Sequence, residues 1–519
     1  MILQVRLDIA PDEVTAAKHV LDILCDGLGI AYREVPTAAD ADLAYAVREP
    51  VDLSTSAIWV KRNTDWTLVG KPGARGCTAF PTGLALADAF SLARRDLLQV
   101  SGDVARVRTD ALALTGHVIS GHAERMVAKN AFGVPRVSEA GAEWMARAVV
   151  SELIEALATS IAVRFPGFQD RIQRWPGGAS AALLLTHDVD RPQRRPTSAY
   201  YRQRIARHVA DRAPKAAVRA MAGWARTRAQ FGPAMPPAED PNFGFDHWRS
   251  LERGLGGRGC FYVAVRSSAE RGAHPADVAY DASSPEMIAA MRKMIEAGWE
   301  IGLHASIHAA TDPGRFAEEK ARLEKTLGGY EVRGVRHHYW ALNPANPDET
   351  WTRQRRAGFV YDSSLGSNDG PGFRRGLAWP LATGEGQVLQ VPPTLMDGGI
   401  FYAKPTQAEG ERAIRRHLRE VFALGGAAVL DWHLEQSNPN RLSGAGPALE
   451  EALSLVRGRS DIWVATPSDV ADWWFERTRR RKALVTTRER IRVRSVRQPV
   501  SPERSRKGAT RTARRTSAK

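Results

Sequence analysis

The chain is 519 residues long, 43% hydrophobic and 25% charged, which is the composition of a soluble globular protein too long for one ordinary core. No apolar run reaches the length of a membrane span, so no transmembrane segment is expected. The formal charge of +15 is local: residues 476–519 carry +14 and residues 191–230 carry +10, leaving −9 on the remainder, so a specific nucleic-acid partner is not expected.

The opening stretch, MILQVRLDIAPDEV, has no basic region followed by an apolar one, and the expected location is cytoplasmic. Cys25, Cys77 and Cys260 lie far apart without metal-type spacing, which fits a reducing compartment. Residues 1–172 read as a smaller N-terminal α/β domain of unknown role. It begins with a strand, ILQVRLDI, and a helix entered at Pro11-Asp12 with Val14, Val20, Leu21 and Leu24 at helical spacing. Apolar runs DLAYAV and AIWV follow, and a long helical pattern over 139–165 closes the unit. His117 and His122 are five apart, which fits no helical metal pair, and they are read as surface residues. PGFQDRIQRWPGG reads as a linker.

Residues 176–475 alternate short β-rich runs with amphipathic helices. The runs are ALLLTHD, CFYVAV, WEIGLH, GVRHHY, FVYDSS, VLQVPP, AAVLDWH and DIWVAT. Between them lie helices such as SPEMIAAMRKMIEAG, with Pro285 in the first turn and Gly298 at the stop. This alternation predicts a parallel sheet, and its repetition predicts a distorted (β/α) barrel of seven to eight strands. Asp188 and Asp190, His304 and His308, Arg336 to Tyr339, Asp362 and His433 all fall at the ends of runs. In a parallel barrel those ends meet on one face.

In THDVD, Asp188 and Asp190 share a strand face, and two such carboxylates repel unless a cation faces them. HASIH supplies His304 and His308. With one aspartate they make a His₂Asp set whose open positions suit a catalytic divalent ion, zinc above all, with cobalt, nickel or manganese as substitutes. The other aspartate remains free as a general base, and His433 can serve as general acid. Arg336 can hold that free aspartate ionised. The chemistry is metal-assisted hydrolysis of an amide or ester. His187 is read as barrel packing, and at most one of His337 and His338 can look into the pocket. Asp431 or Glu435 can orient His433, and Trp379, Trp473 and Trp474 are read as core.

In order along the chain, THDVD, HASIH, RHHY, DSSL and LDWH resemble the five motifs of the polysaccharide deacetylase superfamily, the NodB-type carbohydrate esterases, in the branch whose first motif is Asp-x-Asp. The resemblance spans roughly residues 175–475. It implies Asp188 as catalytic base, Asp190, His304 and His308 as metal ligands, and Arg336, Asp362 and His433 as further catalytic residues. Tyr339, Leu430 and Trp432 are then substrate-binding. The departures are Ser306 one place late in the second motif, His338 for proline in the third, and a missing aromatic in the fourth. The implied activity is removal of N-acetyl groups from a bacterial surface polysaccharide or its precursor. A superfamily hydrolase of a formyl or cyclic amide bond, and a polyanion-binding protein with an inactive barrel, are the alternatives. The N-terminal unit is similar to a domain that precedes such catalytic domains in bacterial proteins.

The basic insertion 191–230 directly follows the aspartate pair, with apolar positions for helices on either side of Pro214. It is expected to lie over the pocket and to guide an anionic substrate or a peripheral membrane contact. Residues 476–519 read as a disordered basic tail.

Overall fold

Leu3, Val5 and Leu7 turn inward at alternate positions of β1 (Ile2–Asp8), an interior strand of a first sheet in the computed structural model. The structure describes residues 1–66, 83–99, 104–125, 127–136, 142–233, 235–343, 347–382 and 388–496; Cys77 and residues 497–519 of the expected tail lie outside them. β2 (Ala31–Glu34), β3 (Leu43–Ala46), β4 (Ile58–Lys61) and β5 (Ala105–Val107) complete the sheet in the order β2-β1-β3-β4-β5, with every pair parallel. A parallel sheet needs cover on both faces, and this order is that of a doubly wound α/β unit. The helix Val14–Leu28 turns out of its last turn at Gly29, whose φ of 74° suits glycine. The helical pattern over 139–165 resolves into a short 3₁₀ turn, Glu143–Ala146, and a helix, Val149–Arg164. His117 and His122 are buried rather than at the surface. They flank the end of Ala111–Ile119, a helix apolar all round and buried at every position, which carries its histidine inward with it.

The second sheet is built on β6 (Ala181–Val189), buried along its whole length as strands covered on both faces are. β7 (Cys260–Val263), β8 (Glu300–Ala305), β9 (Gly334–His337) and β10 (Tyr361–Asp362) follow it in parallel. The far edge is β11 (Leu381–Ala382) and β12 (Leu389–Gln390), an antiparallel pair joined through β12 to β10. On the other side of β6 lie β14 (Ala427–Asp431) and then β13 (Leu395–Met396). β15 (Ile462–Val464) pairs with Ala181–Leu183 at the start of β6, whereas β7 pairs with Thr186–Val189 at its end. The ladder therefore has ten strands, against the seven to eight expected, and among the described residues no pairing joins β13 to β11 or β12. The two strands absent from the sequence pattern, β11 and β13, are two residues each, too short to carry a period. Ser284 caps the helix Pro285–Glu296 through Met287 N–H, and Gly298 follows it at φ 88°, as the local sequence predicts.

The insertion forms the helices Ser198–Ala210 and Pro214–Phe231, broken at Pro214 as expected. Tyr200 Oη lies 3.1 Å from Ser268 Oγ and Arg207 donates to Ser268 O at 2.7 Å, which fastens the first helix to the loop after β7. Val209, Val218 and Met221 remain exposed. The last helix runs from Pro467 to Val496, so residues 476–496 are helical rather than part of an unfolded tail. Arg477 and Arg481 are buried on it: Arg481 pairs with Asp22 and Asp26 of the N-terminal unit at 3.3 Å each, and Thr478 donates to Asp26. No helix among the described residues is long and apolar enough to cross a membrane.

The expected linker is packed. Arg174 donates to the carbonyls of Gly27 and Leu424 and lies 3.9 Å from the Trp379 ring centroid, and Trp175, fully buried, donates to Gly425 O. A second seam lies along 373–378. Gly376 O accepts from Val150 and Ser151 N–H at the start of the helix Val149–Arg164, and Phe373 N–H donates to Met145 O. Beside it the buried carboxylate of Glu124 meets Arg374 at 3.0 Å and Arg375 at 3.5 Å. Burial opposes its charge, but the two guanidiniums together hold it below the usual range. Removing one member of such a cluster leaves uncompensated buried charge. Glu124→Gln is expected to lower the unfolding free energy by about 3–5 kcal/mol in urea titrations. A loss under about 1 kcal/mol would mean that the arginines keep their hydration without it.

Candidate active site

Five strand ends meet around the guanidinium of Arg336, which is fully buried at the end of β9. Arg336 donates to Asp188 Oδ1 at 2.9 Å, to Thr186 Oγ1 at 2.8 Å, and to Ser363 Oγ and O at 2.9 and 3.1 Å. Asp431 Oδ1 lies 3.0 Å away on the same side. The Tyr262 ring centroid is 4.2 Å from its carbon. Glycine makes this aromatic floor possible: a Cβ on Gly302 would stand 2.6 Å from the Tyr262 ring, and one on Gly334 would stand 1.9 Å from Tyr361. The paired carboxylates raise the Arg336 pKa despite burial, and burial with the nearby Asp188 charge pushes Asp431 well above the carboxylate range.

Above Arg336 stands the second aspartate of the pair. Asp190 Oδ1 is 3.3 Å from His304 Nε2, and its Oδ2 is 3.4 Å from His338 Nε2 and 3.6 Å from His433 Nε2. Burial alone would raise Asp190; His338 and His304 together outweigh it and hold the carboxyl well below its ordinary value. His304 is fixed through its other nitrogen, Nδ1, 3.2 Å from Arg336 O. His338 Nδ1 faces Asp277 at 3.5 Å, and Asp190 with Asp277 overcomes burial to push His338 up to about 9. On the opposite side, His433 Nδ1 lies 3.1 Å from both oxygens of Asp397, which also accepts from His433 N–H. Against the cost of burial, Asp397 keeps the His433 pKa well above its ordinary value.

The donor set suits a divalent ion. Asp190, His304 and His338 each bring one ligand atom within 4.8 Å of the others. Asp190 Oδ1 and His304 Nε2, both buried, have no hydrogen-bond partner of good geometry. One carboxylate and two imidazoles leave positions for water and substrate.

Of the residues expected from the sequence, Asp188, Asp190, His304, Arg336 and His433 converge here. His308 does not join them. An i,i+4 pair shares a face only on a helix, whereas His304 belongs to β8, Ser306 is extended at ψ 156°, and His308 sits in a 3₁₀ turn beside His274 at 5.4 Å between ring centroids. Asp362 also stands apart. Tyr361 and Ser363 face inward, so the residue between them faces out, where Trp351, Gln354 and Ser364 donate to its carboxylate. The same alternation turns Leu430 and Trp432 away from Asp431; Trp432 donates to Ala445 O. Tyr339 lies at the rim, 38% exposed, with φ at 56°. His187 is packing, as expected: it lies 2.8 Å from Glu252 and between the rings of Trp248 and Phe261. Glu435 faces Arg441, so neither it nor Asp431 orients His433.

Sequence reasoning missed Asp277, Asp397 and Phe132, and weighed His338 only as one of an adjacent pair. Asp397 follows a two-residue strand and Asp277 sits in the loop after β7, so neither has a local pattern. Phe132, from the N-terminal unit, stacks on Tyr339 with ring centroids 4.2 Å apart and planes 14° apart.

No protein-family model matches the chain, and no curated protein matches it. Solved structures that align with its fold include the following two. One, from Mycobacterium smegmatis and assigned as a polysaccharide deacetylase, is 22% identical over 58% of this chain and 92% of its own, with a TM-score of 0.38. The other is the Xyl-CE4 domain of a multidomain xylanase from the hindgut metagenome of Trinervitermes trinervoides, 12% identical over 56% and 90%, with a TM-score of 0.26. Alignments this distant bear no weight for activity, which rests on the geometry.

Burial raises Asp362 to about 6 despite its three donors. A carboxyl raised in the fold binds more protons there than in the unfolded chain, so its contribution is complete below pH 4 and is lost as pH rises through 6. Relative to the non-titrating Asp362→Asn, the wild type is expected to lose up to about 3 kcal/mol of stability between pH 4 and pH 7. A flat difference across denaturation curves at those pH values would place the carboxyl in water.

Proposed function

We propose that this protein is a zinc-dependent hydrolase of the polysaccharide deacetylase superfamily that removes N-acetyl groups from sugars of a bacterial surface polysaccharide or its precursor. The convergence of Asp188, Asp190, His304, Arg336 and His433, with ligand atoms left unpaired among them, carries this reading. Asp190 and His304 would hold the ion together with His338 in place of His308. When bound, a divalent ion supplies Lewis acidity toward an amide carbonyl and an attacking water.

The remaining steps belong to side chains. Asp188, oriented by the hydrogen bond it accepts from Arg336, accepts the proton of the attacking water as its oxygen bonds to the acetyl carbon. His433, kept protonated by Asp397, gives a proton to the sugar nitrogen as the carbon–nitrogen bond breaks. The products are acetate and a free amine. Buried Thr186 and Ser363 keep the guanidinium aimed at Asp188 while this happens.

An anionic substrate is supported by a cavity of about 260 Å³ that opens beside Asp190 and is lined by Arg191, Arg194, Arg195 and Tyr280. Asp240 accepts from Arg194 N–H at 2.9 Å, and its other oxygen lies 3.6 Å from the Arg194 side chain. A phosphate or carboxylate on the sugar would meet positive charge there.

Asp188→Asn is expected to retain zinc by elemental analysis while acetate release from N-acetylglucosamine oligosaccharides falls by about 10²–10⁴. Retained activity would remove Asp188 as the base, and formate release from an N-formyl substrate with none of acetate would reassign the bond. Asp190→Ala, His304→Ala and His338→Ala should each lose zinc, and His308→Ala should keep it; the reverse pattern for the two last variants would restore His308 as ligand. Replacing Arg191, Arg194 and Arg195 by Gln should slow turnover of phosphorylated or uronic-acid-containing acetylated sugars while sparing neutral ones, with a flatter salt dependence. Equal rates on both would remove the anionic preference.

A further inference from the structure

The N-terminal unit reaches the ligand set through a row of three rings. Phe132 stacks on Tyr339 at 4.2 Å, and Tyr339 lies against His338 at 4.4 Å with planes 31° apart. His338 in turn is 5.0 Å from His304 between ring centroids. The backbone under this row is strained, since Tyr339 and Trp340 have φ of 56° and 55°, a region that bulky side chains leave unless their surroundings hold them. Those surroundings come from both units, and Trp340 Nε1 donates to Asn368 Oδ1 at 2.7 Å within its own. Val134 packs with Trp340 and Met396, and Phe132 packs against that cluster. Asn130 folds the loop by accepting from Phe132 N–H at 2.9 Å and Val134 N–H at 3.1 Å.

We infer that Phe132 is a positioning residue for the metal centre: through Tyr339 it holds the His338 imidazole in the orientation that lets Nε2 face Asp190. Asp277 fixes that ring at its other nitrogen, but one contact at 3.5 Å leaves the ring free to tilt about it, and the stack removes that freedom. The N-terminal unit thereby acts on the chemistry without touching substrate. This inference rests on the metal-dependent reading and concerns His338 in particular.

Phe132→Leu keeps an apolar side chain against Val134, Trp340 and Met396 but has no ring to stack. In competition with a chromophoric chelator, its zinc dissociation constant is expected to rise about tenfold over wild type, the lower end of what loss of a supporting contact costs a metal site. Phe132→Tyr should restore wild-type affinity, and in the His338→Ala background Phe132→Leu should change nothing further. The cobalt-loaded Phe132→Leu variant should also show altered visible absorption bands, which a purely structural role would leave in place. Wild-type zinc affinity in Phe132→Leu, with thermal stability of the zinc-free forms alike, would overturn the inference while leaving the metal reading intact. A wild-type protein that binds no zinc, cobalt, nickel or manganese would overturn both.

Discussion

A single buried guanidinium sets the terms for the strand ends of the second sheet. Arg336 has no water to fall back on, and a buried cation without partners costs several kcal/mol, so its planar donors must be met from all sides. Thr186 and Asp188 come from β6, Ser363 follows β10, and Asp431 ends β14. Strand register is thereby tied to chemistry. A slip of one residue in any of these strands would exchange an inward donor or acceptor for an outward side chain and leave the guanidinium exposed to hydrocarbon. Asp188 and Asp431 could not sit so close without the cation between them, and Asp190 is separated from Asp188 by one strand repeat because it answers to a different set of partners.

The two aspartates of THDVD thus divide between floor and mouth. Asp188 looks down to Arg336 and Asp190 looks across to three imidazoles. Each side of the mouth has its own carboxylate behind its histidine, Asp277 behind His338 and Asp397 behind His433. With Asp397 behind one ring, and Asp277 and the Tyr339 ring behind the other, both have fixed orientations before any ligand arrives, which is what a preorganised polar site requires.

Much of this was legible in the linear pattern because strand ends are legible. Asp188, Asp190, His304, Arg336 and His433 each terminate a β-rich run, and parallel order brings such ends to one face. The differences have equally definite causes. Motif position puts Asp362, Leu430 and Trp432 at the pocket, whereas the period-two alternation of their own strands turns them outward. Helical spacing pairs His308 with His304, but the segment is strand, bend and 3₁₀ turn in succession. Asp277, Asp397 and Phe132 lie in loops or beside two-residue strands, where only the tertiary path decides what meets what. In the first sheet, β1, β3 and β4 show in the apolar runs, but the burial of His117 and His122 depends on which helix the sheet covers.

The joint between the two units reads in sequence as a tether, rich in proline, glycine and polar residues, yet Arg174 and Trp175 are locked into it and the last helix returns across it with Arg477 and Arg481. Modular enzymes trade catalytic domains at joints where few contacts cross. This joint offers no such place. A cut at Pro176 would bare a tryptophan and leave several guanidiniums without their carbonyls and carboxylates, and the second unit would depart without the phenylalanine that borders its own mouth. The two halves must therefore be inherited, folded and degraded together.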